Sequence, residues 1–363
     1  MQLRIPGPTP CPPRVLEAMT RQMINHRGKD FAEILQSTTG LLQRFFNTKN
    51  DVYILTASGT GGMEAAVVNT LSPGDPVLAV TTGYFGERLA TIASTYGAQV
   101  TRLDFPWGQP ADPHAVSKAL QKDPSIKAVF MVHNETSTGL TNPLAQLCQV
   151  VKEFDKLLVV DGISSMGSLE FKVDEWGIDV AITASQKGWM APPGLAMASF
   201  SPRAWEAHAR ATMPRFYWDL ALAKRFLDKG QTPFTPAVST LYAMLAALEL
   251  MDEEGQQSII DRHQRVADAV RQGVKRLGLS LLPPEEFASN TVSAVLVPQG
   301  VDAKQLQGLM AQQGVILSGG QGALEGSTFR IGHLGWVTVE DAQIVLSVLE
   351  SVLPRAGSAR EAS

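Results

Sequence analysis

Two ionisable residues at the ends of apolar runs stand out for the chemistry they offer. Asp161 closes the run LLVVD, and Lys187 follows VAITASQ 26 residues later. A carboxylate in such a place is costly to bury without a cationic or hydrogen-bonding partner. It either caps the following turn or partners a cationic ring nitrogen on a ligand. A lysine at the mouth of a buried sheet can lose its charge and act as a nucleophilic amine, although most lysines are simply solvated. A third run, DVYILTA, leads into Ser58-Gly59-Thr60-Gly61-Gly62 and the helical pattern MEAAVVNTL. Glycines admit a ligand close to the backbone, and a helix N-terminus offers free N–H groups and a positive dipole end. Ser58 and Thr60 add hydroxyls. No Gly-Lys-Ser/Thr follows, and no Rossmann acid stands on the next strand. The turn therefore reads as a phosphate cradle or as a tight turn with no ligand.

Two more runs feed the same crevice. VFMVHNETSTG brings His133, Asn134, Glu135 and Thr136, of which Thr136 can donate to a phenolic oxygen; the role of His133 stays open. TTGYFGER brings Tyr84 and Phe85, either of which can stack on a ring or simply pack. Further on, Arg330 lies inside the apolar run TFRIGHL. Its guanidinium fork suits bidentate capture of a carboxylate, or a structural ion pair. A phosphate cradle, a carboxylate for a ring nitrogen and an amine are together what pyridoxal 5′-phosphate requires. A pyridinium held protonated lets that ring accept electrons from a carbanion.

These residues need a sheet to hold them. The apolar runs at 51–57, 76–82, 127–133, 156–162 and 179–185, with 194–201 close behind, alternate with helical patterns such as 62–71 and 86–97. Near-continuous apolar strands between helices predict an α/β fold with a mostly parallel sheet covered on both faces. Ligands bind such sheets at the carboxyl ends of the strands. Beyond about residue 240 two long helical patterns lead into NTVSAVLVP, TFRIGHL and a last helix, which predicts a smaller α+β unit. The expected division is an N-terminal segment over 1–20, a large domain over 21–254 and a small C-terminal domain over 255–363. The tail PRAGSAREAS is expected to fray.

Composition removes other classes. The 363 residues are 44% hydrophobic and 18% charged with a net charge of −4, so no basic field invites nucleic acid. No run approaches the roughly 20 apolar residues of a membrane helix, and prolines break the N-terminus where a signal sequence would be apolar. Cys11 and Cys148 suggest neither a disulfide framework nor a metal cluster, and Cys148 fits a buried helix position. A cytoplasmic location is the expectation.

The motifs PGPTPCPPRVLEAM, SGTGGMEAAVVNTLSPGD, HNETSTG, VVDGISSMG, ASQKGWMAPPGLA, TPAVSTLYA and FRIGHLG occur in an order and spacing that resemble class V aminotransferases of fold type I. The likeness is strongest to the alanine–glyoxylate / serine–pyruvate branch and covers nearly the whole chain. It implies a seven-stranded, mostly parallel sheet and pyridoxal 5′-phosphate. Lys187 would be the Schiff-base lysine and proton shuttle, and Asp161 the partner of the pyridinium. Ser58, Gly59, Thr60 and Gln186 would hold the phosphate, Thr136 the phenolic oxygen, and Phe85 would stack on the ring. Arg330 would hold the substrate α-carboxylate, with the Gly7 backbone nearby. Thr235 would reach the neighbouring subunit's phosphate, implying a homodimer with shared active sites. Thr232 stands where a cross-subunit tyrosine is expected, and Thr60 where animal relatives carry histidine; both changes bear on cofactor affinity.

The expected activity is a ping-pong transamination from alanine or serine to glyoxylate or pyruvate. No second arginine stands out to read a side-chain carboxylate. Phosphoserine or aminoethylphosphonate transamination would need extra cations, for which Arg27 and Arg215 are candidates. A cysteine desulfurase would need a late nucleophilic cysteine, and none follows Cys148. A rival of another class is a non-catalytic subunit of the same fold, such as a hydrogenase partner. It predicts loss of the lysine, the aspartate or the phosphate turn.

Overall fold

The computed structural model describes residues 1–357, so the final six residues of the tail expected to fray lie outside the described residues. Seven strands form one sheet: β1 (Val52–Ala57), β2 (Pro76–Thr81), β3 (Gln99–Asp104), β4 (Ala128–Val132), β5 (Leu157–Asp161), β6 (Val180–Ala184) and β7 (Gly194–Phe200). Their spatial order is β1-β7-β6-β5-β4-β2-β3. Only β7 runs antiparallel to its neighbours, and the pairs β6–β5, β5–β4, β4–β2 and β2–β3 are parallel. The mostly parallel α/β sheet expected from sequence is therefore present.

The near-continuous apolar character of the strands follows from burial on both faces. In β5, Leu158 and Val160 enter one hydrophobic cluster with Phe46, Trp189 and Met197. Leu157 and Val159 enter another with Ala66, Val67 and Phe130 on the opposite side. Each Val or Leu so placed contributes about 1.5–3 kcal/mol through removal from water. The second cluster is filled largely by α1 (Gly59–Thr70), which is buried nearly all round. Its lack of an amphipathic stripe is why periodicity places its start three residues late.

At the edge, β3 alternates poorly and carries exposed Arg102 and Asp104, which pair with each other. Charge on an edge strand blocks pairing with a further chain. It also removes the apolar signal, and the sequence pattern does not mark this strand.

After α2 (Tyr84–Thr95), α3 (Leu144–Glu153) and α4 (Val238–Glu254), the chain turns at Gly255, whose φ of +85° suits a residue without Cβ, into α5 (Gln256–Arg276). Cys148 is buried in α3, and burial pushes its thiol pKa up to about 12. A second sheet of β8 (Val292–Leu296), β9 (Ser318–Gly319) and β10 (Thr328–Gly332) is antiparallel, ordered β8-β10-β9. It shares its own cluster with α5 and α6 (Val339–Val352). In β10, Phe329 and Ile331 point into that core, so Arg330 between them faces the other way, toward the large sheet.

The N-terminal segment ties the two sheets together. Gln2–Leu3 pairs in parallel with Val315–Ile316, Gly332 N donates to Arg4 O at 2.7 Å, and Thr9 N donates to Gln186 O at 3.1 Å.

Candidate active site

Because β1, β2, β4, β5 and β6 run in one direction, their carboxyl ends share one edge of the sheet. The approach there is close. A Cβ on Gly59 would lie 2.6 Å from the Ile163 side chain and 3.3 Å from Ala184 Cβ, so the turn after β1 presses on the ends of β5 and β6.

Lys187 projects from beyond β6 under the N-terminal segment. Its Nζ donates to Pro6 O at 2.6 Å, and its backbone carbonyl accepts from Thr9 Oγ1 at 3.1 Å. Desolvation, and then the nearby Arg330 cation, lower its pKa from 10.5 to about 8, with Asp161 opposing. Gly7 passes over the amine so closely that a Cβ would lie 2.5 Å from Nζ and 2.7 Å from Cδ, and its φ is +135°. We expect Gly7→Ala to displace the lysine and lower turnover by about 100-fold, the scale of a 1 Å misplacement. Steady-state kinetics and thermal melting of the variant check this, with melting reporting whether the fold survives.

Asp161 is 3% exposed, and its Oδ1 accepts from Ile163 N at 2.7 Å. Burial pushes its pKa up to about 7, opposed by that N–H; Glu135 raises it further, and Lys187 and Arg88 pull it down. A buried carboxylate with no full cationic partner calls for one.

At the head of α1, Ser58 is the N-cap residue, and its side chain makes no capping hydrogen bond. The first backbone bond of the helix is Gly62 N to Ser58 O at 3.3 Å, which leaves the Gly59, Thr60 and Gly61 N–H groups ahead of it. Gln186 Oε1 is buried without a hydrogen-bond partner. Free N–H groups and the uncommitted Ser58 hydroxyl at a helix N-terminus suit a phosphate, to which Gln186 could add only its amide N–H, since the unpaired Oε1 is an acceptor.

The aromatic side of the crevice is set by a residue that the sequence reading left without a role. Glu135 is fully buried and accepts from Phe85 N (3.1 Å), Gly86 N (3.1 Å), Ser137 N (3.1 Å) and the Ser137 hydroxyl (2.5 Å). Burial raises its pKa against those four donors. It thereby anchors the first turn of α2, with Tyr84 and Phe85 edge-to-face at 5.6 Å. Arg88, one turn on, lies over both rings and donates to Thr60 Oγ1 at 3.4 Å. It was not singled out from sequence, because nothing in the run GERLATI marks one arginine as inward.

Arg330 is 8% exposed and binds Gly319 O at 2.9 Å, Gln321 Oε1 at 3.2 Å and Thr136 O at 3.4 Å. It makes no ion pair among the described residues, so the structural alternative weighed for it is not what the chain contains. The Thr136 hydroxyl donates to Ser164 Oγ at 2.8 Å, and Ser164 in turn donates to Asn134 O. Thr136 therefore stands at the crevice with its proton already engaged.

Thr235 does not join this site. It is exposed on its own chain. The strand of chain leading to it is braced by Arg27, which donates to Gln231 Oε1, Thr232 O and Pro233 O. Arg215 donates to Val68 O, Ala211 O and Met213 O. Both guanidiniums bind neutral oxygens of their own chain; Arg215 does so near the C-terminal end of α1, away from its free N-terminus. His133 is buried against Phe171 and Trp176 at 5.4 and 6.1 Å between ring centres. Burial lowers its pKa to about 3, so it is a neutral packing group at neutral pH.

An amine with a lowered pKa, an under-partnered carboxylate, an uncapped helix N-terminus and a guanidinium without a carboxylate fit pyridoxal 5′-phosphate and an amino-acid substrate. Known proteins give the same direction. The chain is 44% identical over 360 residues to the soluble hydrogenase small subunit of Synechococcus sp. strain PCC 6716, covering 98% of this chain and 93% of that one. It is 37% identical to the L-aspartate–glyoxylate aminotransferase of Paracoccus denitrificans, covering 97% and 91%. The solved structure of an alanine–glyoxylate aminotransferase from Nostoc sp. superposes with a TM-score of 0.93 at 32% identity, over 97% of this chain and 94% of that one. The family model for aminotransferase class-V matches residues 3–339, and the chain belongs to that family.

Proposed function

We propose that the chain is a pyridoxal-5′-phosphate transaminase moving an amino group from alanine or serine to glyoxylate or pyruvate in a ping-pong sequence. The observation that carries this reading is the desolvated Lys187 amine on the same sheet edge as the buried Asp161 carboxylate and the open N-terminus of α1. Bound there, the cofactor supplies an aldehyde that takes up amino groups and a protonated ring that draws electrons from the substrate α-carbon.

The chain supplies position and proton transfer. Ser58, Gly59, Thr60 and Gln186 would hold the phosphate, and Asp161 would keep the ring nitrogen protonated, which would also relieve its burial cost. Phe85, fixed through Glu135, would cover one face of the ring, and Thr136 would donate to the phenolic oxygen once its hydroxyl turns from Ser164. Lys187, with an amine pKa near 8, can carry a proton away from the α-carbon and return it at neutral pH. Arg330 would grip the α-carboxylate beside the Gly7 backbone. Arg330→Leu should raise the KM for the amino donor about 10- to 100-fold, the worth of charge-assisted hydrogen bonds, with a smaller effect on kcat. Initial-rate kinetics in the donor concentration test it; an unchanged KM refutes the assignment.

Thr235 lies exposed beside the stacked pair Tyr217 and Phe234, with Phe216 76% exposed next to them. This supports a homodimer in which Thr235 completes the partner's site. A cytoplasmic location completes the proposal; among the described residues no helix is long and apolar enough to cross a membrane.

The non-catalytic alternative takes its weight from the cyanobacterial relative's name. Against it stands the retention of Lys187, Asp161 and the phosphate turn, which that alternative predicts to be lost. The deciding experiment is a panel of amino donors, alanine, serine and aspartate among them, each assayed with glyoxylate by following the cofactor spectrum and product formation. Turnover with alanine or serine supports the proposal. A colourless protein without turnover, co-purifying with a redox partner, refutes it.

A further inference from the structure

We propose that Arg88 is an additional cofactor-binding residue, which pairs its guanidinium with the cofactor phosphate through the edge not occupied by Thr60. This rests on the pyridoxal-phosphate reading above. The guanidinium is half-buried and has no carboxylate within ion-pair distance among the described residues. A partly desolvated cation in that state carries an unmet demand for an anion.

Its position says which anion. Its one hydrogen bond runs to Thr60 Oγ1, the second residue of α1, at the free helix N-terminus. The guanidinium sits against two rings, with Cζ 4.8 Å from the Phe85 ring centre and 5.1 Å from that of Tyr84. These contacts hold the guanidinium in place, and its N–H groups other than the one on Thr60 have no partner among the described residues. The edge of an arginine matches two oxygens of a phosphate, and a dianion gains more from it than a carboxylate does. The backbone N–H groups of α1 and the Arg88 fork would then hold the phosphate from two elements, α1 and α2. Glu135 contributes indirectly, because it anchors the turn of α2 from which Arg88 projects.

A substrate's distal carboxylate is the competing anion, and the contact to Thr60 favours the phosphate. The two are separated by comparing pyridoxal 5′-phosphate with pyridoxal, which lacks the phosphate. Full-length protein stripped of cofactor is titrated with each, as wild type, Arg88→Gln and Arg88→Lys, with melting curves to confirm folding. Arg88→Gln should weaken pyridoxal 5′-phosphate by about tenfold or more, as loss of a charge-assisted pair does, and leave pyridoxal unchanged. Arg88→Lys, keeping charge but not the fork, should show the same selective loss in smaller degree. Equal weakening of both ligands overturns the inference and makes Arg88 a packing residue for Phe85. So does no change in either, or an effect confined to the KM of aspartate. A wild-type chain that binds neither ligand overturns the proposed function as well.

Discussion

Lys187→Ala lowers transamination by about 10⁴-fold or more, the upper range for loss of a positioned general acid–base and larger still if the same amine also engages the cofactor. At its lowered pKa of about 8, roughly a tenth of the amines are neutral at pH 7. At an ordinary pKa of 10.4 fewer than about one in a thousand would be. The protein obtains this from burial first, then from the Arg330 and Arg88 charges, against the opposing pull of Asp161. No other lysine lies at this sheet edge among the described residues, so nothing replaces it. Lys187→Arg, which keeps charge and bulk, should be as inactive while melting near the wild-type temperature. Steady-state turnover of both variants is the check, and a rate within tenfold of wild type for either would remove Lys187 from the chemistry.

Asp161→Asn should show opposite signs in activity and stability. Activity should fall by about 10²- to 10³-fold, the effect of losing one preorganised electrostatic partner. The cofactor-free protein should become more stable, because a buried and under-partnered carboxylate is gone. The sign follows from linkage. The folded pKa is raised from 3.8 to about 7, so the folded state holds the proton more tightly than the unfolded one. The contribution of Asp161 is therefore most favourable below about pH 4 and is lost as pH rises through about 7. At 1.36 kcal/mol per pKa unit the loss is up to about 4 kcal/mol by pH 8.

His133, His263 and His333, with pKa values lowered to about 3, act the other way. Their stabilisation is present above about pH 6.5 and is lost as pH falls toward 3. They are common to both proteins and cancel in the difference. Urea melts of cofactor-free wild type and Asp161→Asn from pH 4.5 to 8 should diverge as pH rises. A constant gap across that range would mean that Asp161 does not titrate there.

What the sequence made legible was whatever depends on strand ends. Asp161, Lys187 and Ser58 to Thr60 each terminate a run whose alternate residues are buried on two sides, and a parallel sheet leaves such ends at one edge. Arg330 was visible as a charge inside an apolar run, and alternation with Phe329 and Ile331 explains its direction. Glu135 and Arg88 had no such mark. The function of Glu135 lies in two N–H groups about 50 residues away in sequence, and Arg88 meets Thr60 across helices. Strand β3 was invisible because an edge strand carries charge where its neighbours carry valine. Thr235 came from resemblance alone. On the single chain it is exposed and takes no part in the site.

The most direct test is to fix the bound cofactor chemically. Holoenzyme treated with borohydride, which reduces the link between the cofactor aldehyde and the amine engaging it, is digested and analysed by mass spectrometry. One phosphopyridoxyl group per chain is expected, on the peptide containing Lys187 and removed by Lys187→Arg. A label on a different lysine, or none on protein whose cofactor content has been confirmed by absorbance, would contradict it.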